Sequence, residues 1–426
     1  MSVSQRTAQI IRDRLLSSAD GGALKAMLAP RLPAVDPLCD RVPLGNAHTA
    51  AGLERRQEFL RKRGHTMDYL AGSGGLPTPE TLSGNIENLV GFAQVPVGVI
   101  GPLRINGTEA RGDFFIPMAT TEGALVASFH RGAYAISHSG GASVMCLTEA
   151  ISRAPCFVFH STLDACVFLE FALKEAPAFQ SLISQTSRHC KFMDLRSSLA
   201  GRNLFLGFEY QTGDASGQNM VTIATNTLCE YLVEKSLLKP VHWYIEGNMS
   251  GDKKATMLAF LSARGKKVTA EVVIPASLLQ RCIHVTPLQM VRYGHVAFLG
   301  GCQSGSIGVQ GHYANALAAI FIACGQDAAC VSEAAVGLTD MDVTEQGDLY
   351  ASVTLPNMIV GTVGGGTHLP TARECLAMLG CQGKDCARKF AEICAATILA
   401  GEISIMGALA AGEFANAHAK YGRKRK

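Results

Sequence analysis

Tryptophan is nearly missing from this sequence, with one in 426 residues against 44 glycines. Readers of single-stranded nucleic acid stack bases on aromatic platforms, and a chain this poor in tryptophan offers few. An excess of one charge is missing as well. The net charge of +3 gives no broad basic face, and the one dense basic run, Gly422 to Lys426, reads as a solvated tail. Nucleic acid is therefore not expected as a partner.

Long apolar runs are also lacking. Gly325-Gln326-Asp327 interrupts one candidate and Glu402 another, so neither reaches the roughly 18 to 20 residues needed to span a bilayer. The N-terminus carries Arg6, Arg12 and Arg14 together with Asp13 and Asp20, but no apolar h-region. That argues against a secretory signal, leaves a transit peptide open, and points to a cytoplasmic protein without a membrane partner. The 14 cysteines are scattered singly, with no CxxC pair, HExxH or Cys/His cluster. They read as reduced, mostly buried thiols, and no metal site is expected. No GxGxxG and no P-loop occurs, so a nucleotide bound here would be held outside the Rossmann scheme.

What is present is 48% hydrophobic, enough for a sizeable core and two or three structural units. Residues 1–80 alternate helical patterns with Pro and Gly breaks and read as a helical N-terminal segment. Between 155 and 246 the pattern changes. Strands are expected at 156–161, 190–195, 204–211 and 241–245, with helices at 163–175 and 218–235. That β-α-β-β-α-β order suits a small ferredoxin-like domain. It is inserted between 81–154 and 247–426, which read as one large, mixed helical domain built around a central helix. The fold class is therefore α+β.

The stretch Ala314 to Ala329 organises the rest, because its apolar run carries one acid, Asp327. A carboxylate buried in such surroundings loses solvation worth several kcal/mol unless a cation compensates. Two readings stand open. Asp327 either caps the next segment or pairs with a cation from elsewhere, and Lys253 or Lys254 in Gly247 to Ala255 would be that cation. Adjacent lysines repel, which would lower the pKa of one of them. In Pro117 to Gly123, Glu122 either complements a helix N-terminus or is desolvated enough to donate a proton near neutral pH. Gly213 to Met220 is a turn opening a helix, whose free N–H groups would suit a phosphate. Arg131 and Arg153 carry forks that fit carboxylates or phosphates, and His418 lies near the end of a long Ala-rich helical stretch, 387–420.

In this order, ENLVGFAQVPVGVIGPL, PMATTEG, GDASGQNM, GDKK, ACGQDAA and GTVGGGT resemble the catalytic portion of hydroxymethylglutaryl-CoA reductases of the class I type, from about Asn85 to Arg423. The resemblance implies a metal-free, two-step reduction of 3-hydroxy-3-methylglutaryl-CoA to mevalonate and CoA by NADPH. It makes Glu122, Lys253, Asp327 and His418 catalytic. Arg202, Asn203, Asp214, Ala215, Ser216, Gly217, Gln218, Asn219 and Arg423 would bind the cofactor. Arg131, Arg153, Asp252, Lys254 and Asn315 would face the acyl-CoA substrate. Members are homo-oligomers with active sites between subunits, so a homodimer or homotetramer is expected, without the membrane anchor of many class I members. The chain also departs from the pattern. Glu246 stands where serine is usual, Ser277 where lysine is frequent, and His295-Val296 where most members carry a lysine for the substrate carboxylate. A reductase of another acyl thioester, or a non-catalytic acyl-CoA binder, are the rival readings.

Overall fold

The computed structural model describes residues 5–16, 21–44, 49–261 and 264–414. Helices Gln5–Leu16, Gly21–Leu28 and Ala50–Arg61 form the N-terminal segment. The strands follow from alternating patterns in which one face is buried, as along β10 (Leu349–Met358). A large sheet runs in the order β2 (Arg111–Ala119), β1 (Val97–Gly107), β3 (Ala142–Arg153), β8 (Gly265–Ile274), β10 and β9 (Leu338–Val343), with only β1 and β3 parallel.

A smaller sheet has the order β7 (His242–Tyr244), β4 (Cys156–Val158), β6 (Asn203–Gln211), β5 (Lys191–Ala200). With helices Thr162–Glu175 and Gln218–Lys235 it reproduces the expected β-α-β-β-α-β unit. The two sheets are joined by β3. Its residues 143–150 pair with β8 and its last three, Ile151 to Arg153, pair with β6.

The element at the centre is not Ala314 to Ala329. A helix does form there, Tyr313–Ala323, but it packs against a longer one, Cys386–Ala410, which also covers β3, β8 and β10. This central helix stops at Ala410, earlier than the expected 420. It is long and apolar enough to cross a membrane by length and composition, contrary to the sequence reading, yet most of it is buried inside the protein. The acids counted as interruptions are satisfied internally. Glu402 accepts from the N–H of Gly311 (2.7 Å) and His312 (2.8 Å) and from Thr339 Oγ1 (2.8 Å). Close approach explains one glycine: a Cβ on Gly132 would lie 1.8 Å from the Ala400 carbonyl oxygen, so the helix Leu125–His138 crosses the central helix backbone to backbone.

Glu392, on the same helix, accepts from Thr108 Oγ1 and from the N–H of Glu109 (2.9 Å), Ala110 (2.7 Å) and Cys146 (3.1 Å). Burial outweighs these bonds and pushes its carboxyl up to about 7 from the ordinary 4.5. The folded state thus holds a proton that the unfolded chain releases. Its contribution to stability is full below 4.5 and is lost as pH rises through about 7. Glu392→Gln should flatten that loss by up to about 3 kcal/mol. Urea titrations of both proteins across the window read it, and equal slopes would reject Glu392 as the source.

Candidate active site

The loop Gly247 to Ala255 leaves β7 and turns sharply, with positive φ at Asn248 (64°), Gly251 (77°) and Lys253 (55°). A lysine in that region costs on the order of 1–3 kcal/mol and persists only if its surroundings hold it. They do. The Lys253 N–H donates to Glu333 Oε1 (3.1 Å), and Glu333 Oε2 accepts from Arg264 Nε (2.8 Å). Arg264 also donates to the Ser152 carbonyl (2.6 Å) and pairs with Asp252, which takes Arg153 on its other oxygen (2.7 Å). Burial would raise the Asp252 carboxyl, yet the two guanidiniums hold it below its ordinary value. Burial does raise Glu333, despite Arg264. Sequence motifs do not single out Arg264 or Glu333, although an acid inside the apolar AACVSEAAVG is the same signal that draws attention to Asp327.

Lys253 Nζ lies 2.9 Å from Asp327 Oδ2. Both sequence readings of Asp327 hold at once, because its Oδ1 accepts the Ala329 N–H (3.0 Å) and caps the short turn Ala328–Cys330. The premise of burial does not hold: the Asp327 and Lys253 side chains are 43% and 44% exposed. The hydrogen bond that Lys253 donates to Asp327 raises the lysine pKa, so repulsion from Lys254 does not lower it and the ammonium is charged at neutral pH. Lys254 is exposed and donates to the Asp252 carbonyl (3.0 Å).

Glu122 follows β2 and precedes the helix Leu125–His138. It is exposed rather than desolvated, and it accepts from Asn315 Nδ2 at 3.1 Å. Asn315 and Asp327 belong to opposite ends of the helix Tyr313–Ala323. From Asn315 to Ala323 alone that helix spans about 12 Å. Glu122 with Asn315 and Lys253 with Asp327 thus form two separate pairs. Arg131 is held by Ser404, through Oγ (3.1 Å) and the carbonyl (2.7 Å), and approaches Glu413 at 3.9 Å. His418 and Arg423 lie outside the described residues.

The expected nucleotide residues divide. Ser216, Gly217, Gln218 and Asn219 open the helix Gln218–Lys235, whose first turn has no side-chain cap and so keeps N–H groups for an anion. Asp214 is engaged elsewhere. Its carboxylate accepts the N–H of Asp385 (2.7 Å) and Ala387 (2.9 Å), capping the central helix from the smaller unit. Ala215 forms a bridge with Val363 of the glycine-rich loop. Arg202 and Asn203 sit at the β5–β6 turn, the far end of β6 from Asp214. Nine residues of strand separate them, roughly 30 Å at the usual rise. The sequence order conceals this. Exposed Arg188 instead precedes β5, whose Lys191 pairs with Gln211 at the same end as the Gly213 turn.

The family model for hydroxymethylglutaryl-coenzyme A reductase matches residues 52–423. The 3-hydroxy-3-methylglutaryl-coenzyme A reductase of Aeropyrum pernix is 43% identical over 387 residues, covering 89% of this chain and 91% of that protein. The chain belongs to the hydroxymethylglutaryl-CoA reductase family. Its counterpart from Methanocaldococcus jannaschii is 40% identical, over 87% of this chain and 92% of that one. The fold is that of the class II reductase of Streptococcus pneumoniae, a structure described as bound to NADPH in open conformations. It has a TM-score of 0.68 at 20% identity, over 84% of this chain and 96% of that chain.

Within this reductase family the departures fall at distinct places. Ser277 is exposed near the start of the helix Ala276–Ile283, and His295 and Val296 are exposed on the helix Pro287–Ser304. Glu246 adjoins the Lys253 loop directly, 3.4 Å from Arg153.

Proposed function

We propose that this chain reduces 3-hydroxy-3-methylglutaryl-CoA to mevalonate and CoA with two equivalents of NADPH. The observation that carries the reading is the Lys253–Asp327 pair at 2.9 Å, delivered by a strained loop in a member of this reductase family. NADPH supplies one hydride to each step. The uncapped first turn after Gly217, with Ser216 and Asn219 beside it, fits a phosphate of that cofactor, with Arg188 and Lys191 at the same end of the sheet and Arg423 at the matched motif position as its cations. The unit 155–246 carries this site, while 81–154 and 247–426 carry the acyl-CoA.

Lys253, charged and held by Asp327, stabilises the oxyanion that develops on the thioester carbonyl, commonly the largest catalytic term. His418 protonates the departing CoA thiolate, and Glu122 supplies the proton that completes the alcohol. The separation of the Glu122–Asn315 pair from the Lys253–Asp327 pair within one chain supports a site completed between two copies, as a homodimer or homotetramer. NADPH consumption with hydroxymethylglutaryl-CoA tests the reading, two equivalents being expected per CoA thiol released. No consumption would overturn it. His418→Ala should lose thioester reduction but keep reduction of the free aldehyde, from which no thiolate leaves. Equal loss on both substrates would reject that role.

A further inference from the structure

Behind Lys253 the charges do not balance. Two guanidiniums, Arg153 and Arg264, face three carboxylates, Asp252, Glu246 and Glu333. Asp252 and Glu333 are each engaged by Arg264. Glu246 is the additional acid, and it engages through one oxygen. Its Oε2 accepts from Ser250 Oγ (2.9 Å), Arg153 NH1 (3.4 Å) and the Ala154 N–H (3.5 Å). Its Oε1 is buried with no partner among the described residues, and so is Nε of Arg153. A dry acceptor and a dry donor, on two side chains in contact, stand beside the loop that carries the oxyanion-stabilising lysine.

Unsatisfied buried groups at such a place select what binds. An acyl carboxylate could accept from Arg153 but has no proton to give Glu246, and it would add a further negative charge to a cluster already short of cations. A hydroxyl both donates and accepts, so it can meet a carboxylate and a guanidinium alike without adding charge. The loop is short, with seven residues from Glu246 to Lys253. Hydrogen bonds tie its two ends together: Ser250 Oγ, which donates to Glu246, accepts the N–H of Asp252 (3.2 Å), the residue before Lys253.

We propose that Glu246 is a specificity-determining residue: it loosens the hold on a free acyl carboxylate and admits short, neutral hydroxyacyl thioesters of coenzyme A as substrates. This rests on the reading of the chain as an acyl-CoA reductase. The chemistry is unchanged, with two hydrides converting the thioester to the alcohol and releasing the thiol.

The test compares hydroxymethylglutaryl-CoA with 3-hydroxybutyryl-CoA on wild type, Glu246→Gln and Glu246→Ser. Wild type is expected to consume NADPH with both. Either substitution should lower KM for hydroxymethylglutaryl-CoA at least about tenfold, the scale of one charge-assisted contact. The change should fall on KM rather than kcat, and KM for the neutral thioester should not improve. Unchanged KM for hydroxymethylglutaryl-CoA in both variants, or a wild type that reduces it and ignores the neutral thioester, overturns the proposal. A wild type that oxidises NADPH with neither overturns the reductase reading instead. Calorimetry then decides the specificity claim without turnover: tighter hydroxymethylglutaryl-CoA binding by Glu246→Gln upholds it, and equal binding rejects it.

Discussion

Lys253→Ala is expected to lower kcat by at least about a hundredfold to a thousandfold, with the protein still folded. Removing one preorganised oxyanion donor costs about 3 to 4 kcal/mol in the transition state, and the neighbouring cations among the described residues are engaged elsewhere. Lys254 Nζ is turned to the Asp252 carbonyl, and Arg153 and Arg264 are committed to carboxylates. The fold should hardly respond, because the Lys253 side chain is nearly half exposed and its ion pair with Asp327 is of the exposed kind that contributes little to stability. Single-turnover NADPH oxidation measures the chemical step, and thermal unfolding controls for structure. Turnover within a few-fold of wild type would remove Lys253 from the mechanism.

Glu333→Ala should have the opposite emphasis. Glu333 is fully buried and Arg264 is 1% exposed, so the substitution strips an interior guanidinium of one of its two carboxylates and leaves it Asp252 alone. Breaking one side of a buried pair costs about 3 to 5 kcal/mol. Denaturant unfolding should show that loss. Activity should fall as well, because the Lys253 N–H loses the acceptor that holds its left-handed backbone. Glu333→Gln keeps the acceptor and should recover more activity than stability. An unfolding free energy for Glu333→Ala within about 1 kcal/mol of wild type would contradict a pair that anchors the loop, since surface substitutions already reach half that.

The smaller unit was legible in the sequence almost strand by strand, because its alternating patterns are short and each ends at a Gly, Ser or Pro turn. The joining of the two sheets was not. β3 changes partners at Ile151, and pairing with residues so distant in the chain leaves no local mark of which strand is the partner. The Lys253–Asp327 pair was found by asking what an isolated acid in an apolar run requires. The rule applies with more force to Glu333, Glu392 and Glu402, which are fully buried, whereas Asp327 lies past the end of its helix. The family resemblance places Arg202 at the dinucleotide site together with Asp214, which lies near it in sequence. A strand carries two such neighbours to opposite edges of a sheet.

The cap that Asp214 places on the central helix bears on how the protein is made. The capped N–H of Asp385 lies 171 positions downstream, and the helix it opens covers β3, β8 and β10. On the ribosome, the smaller unit can close on itself while the large sheet still lacks its covering layer. That sheet stays open until residues 386–410 have been synthesised, which places completion of the core after every strand of both sheets has been made. During that interval its uncovered apolar face is exposed to chaperones and to other nascent chains. The waiting carboxylate of Asp214 is the mark against which that helix is set down.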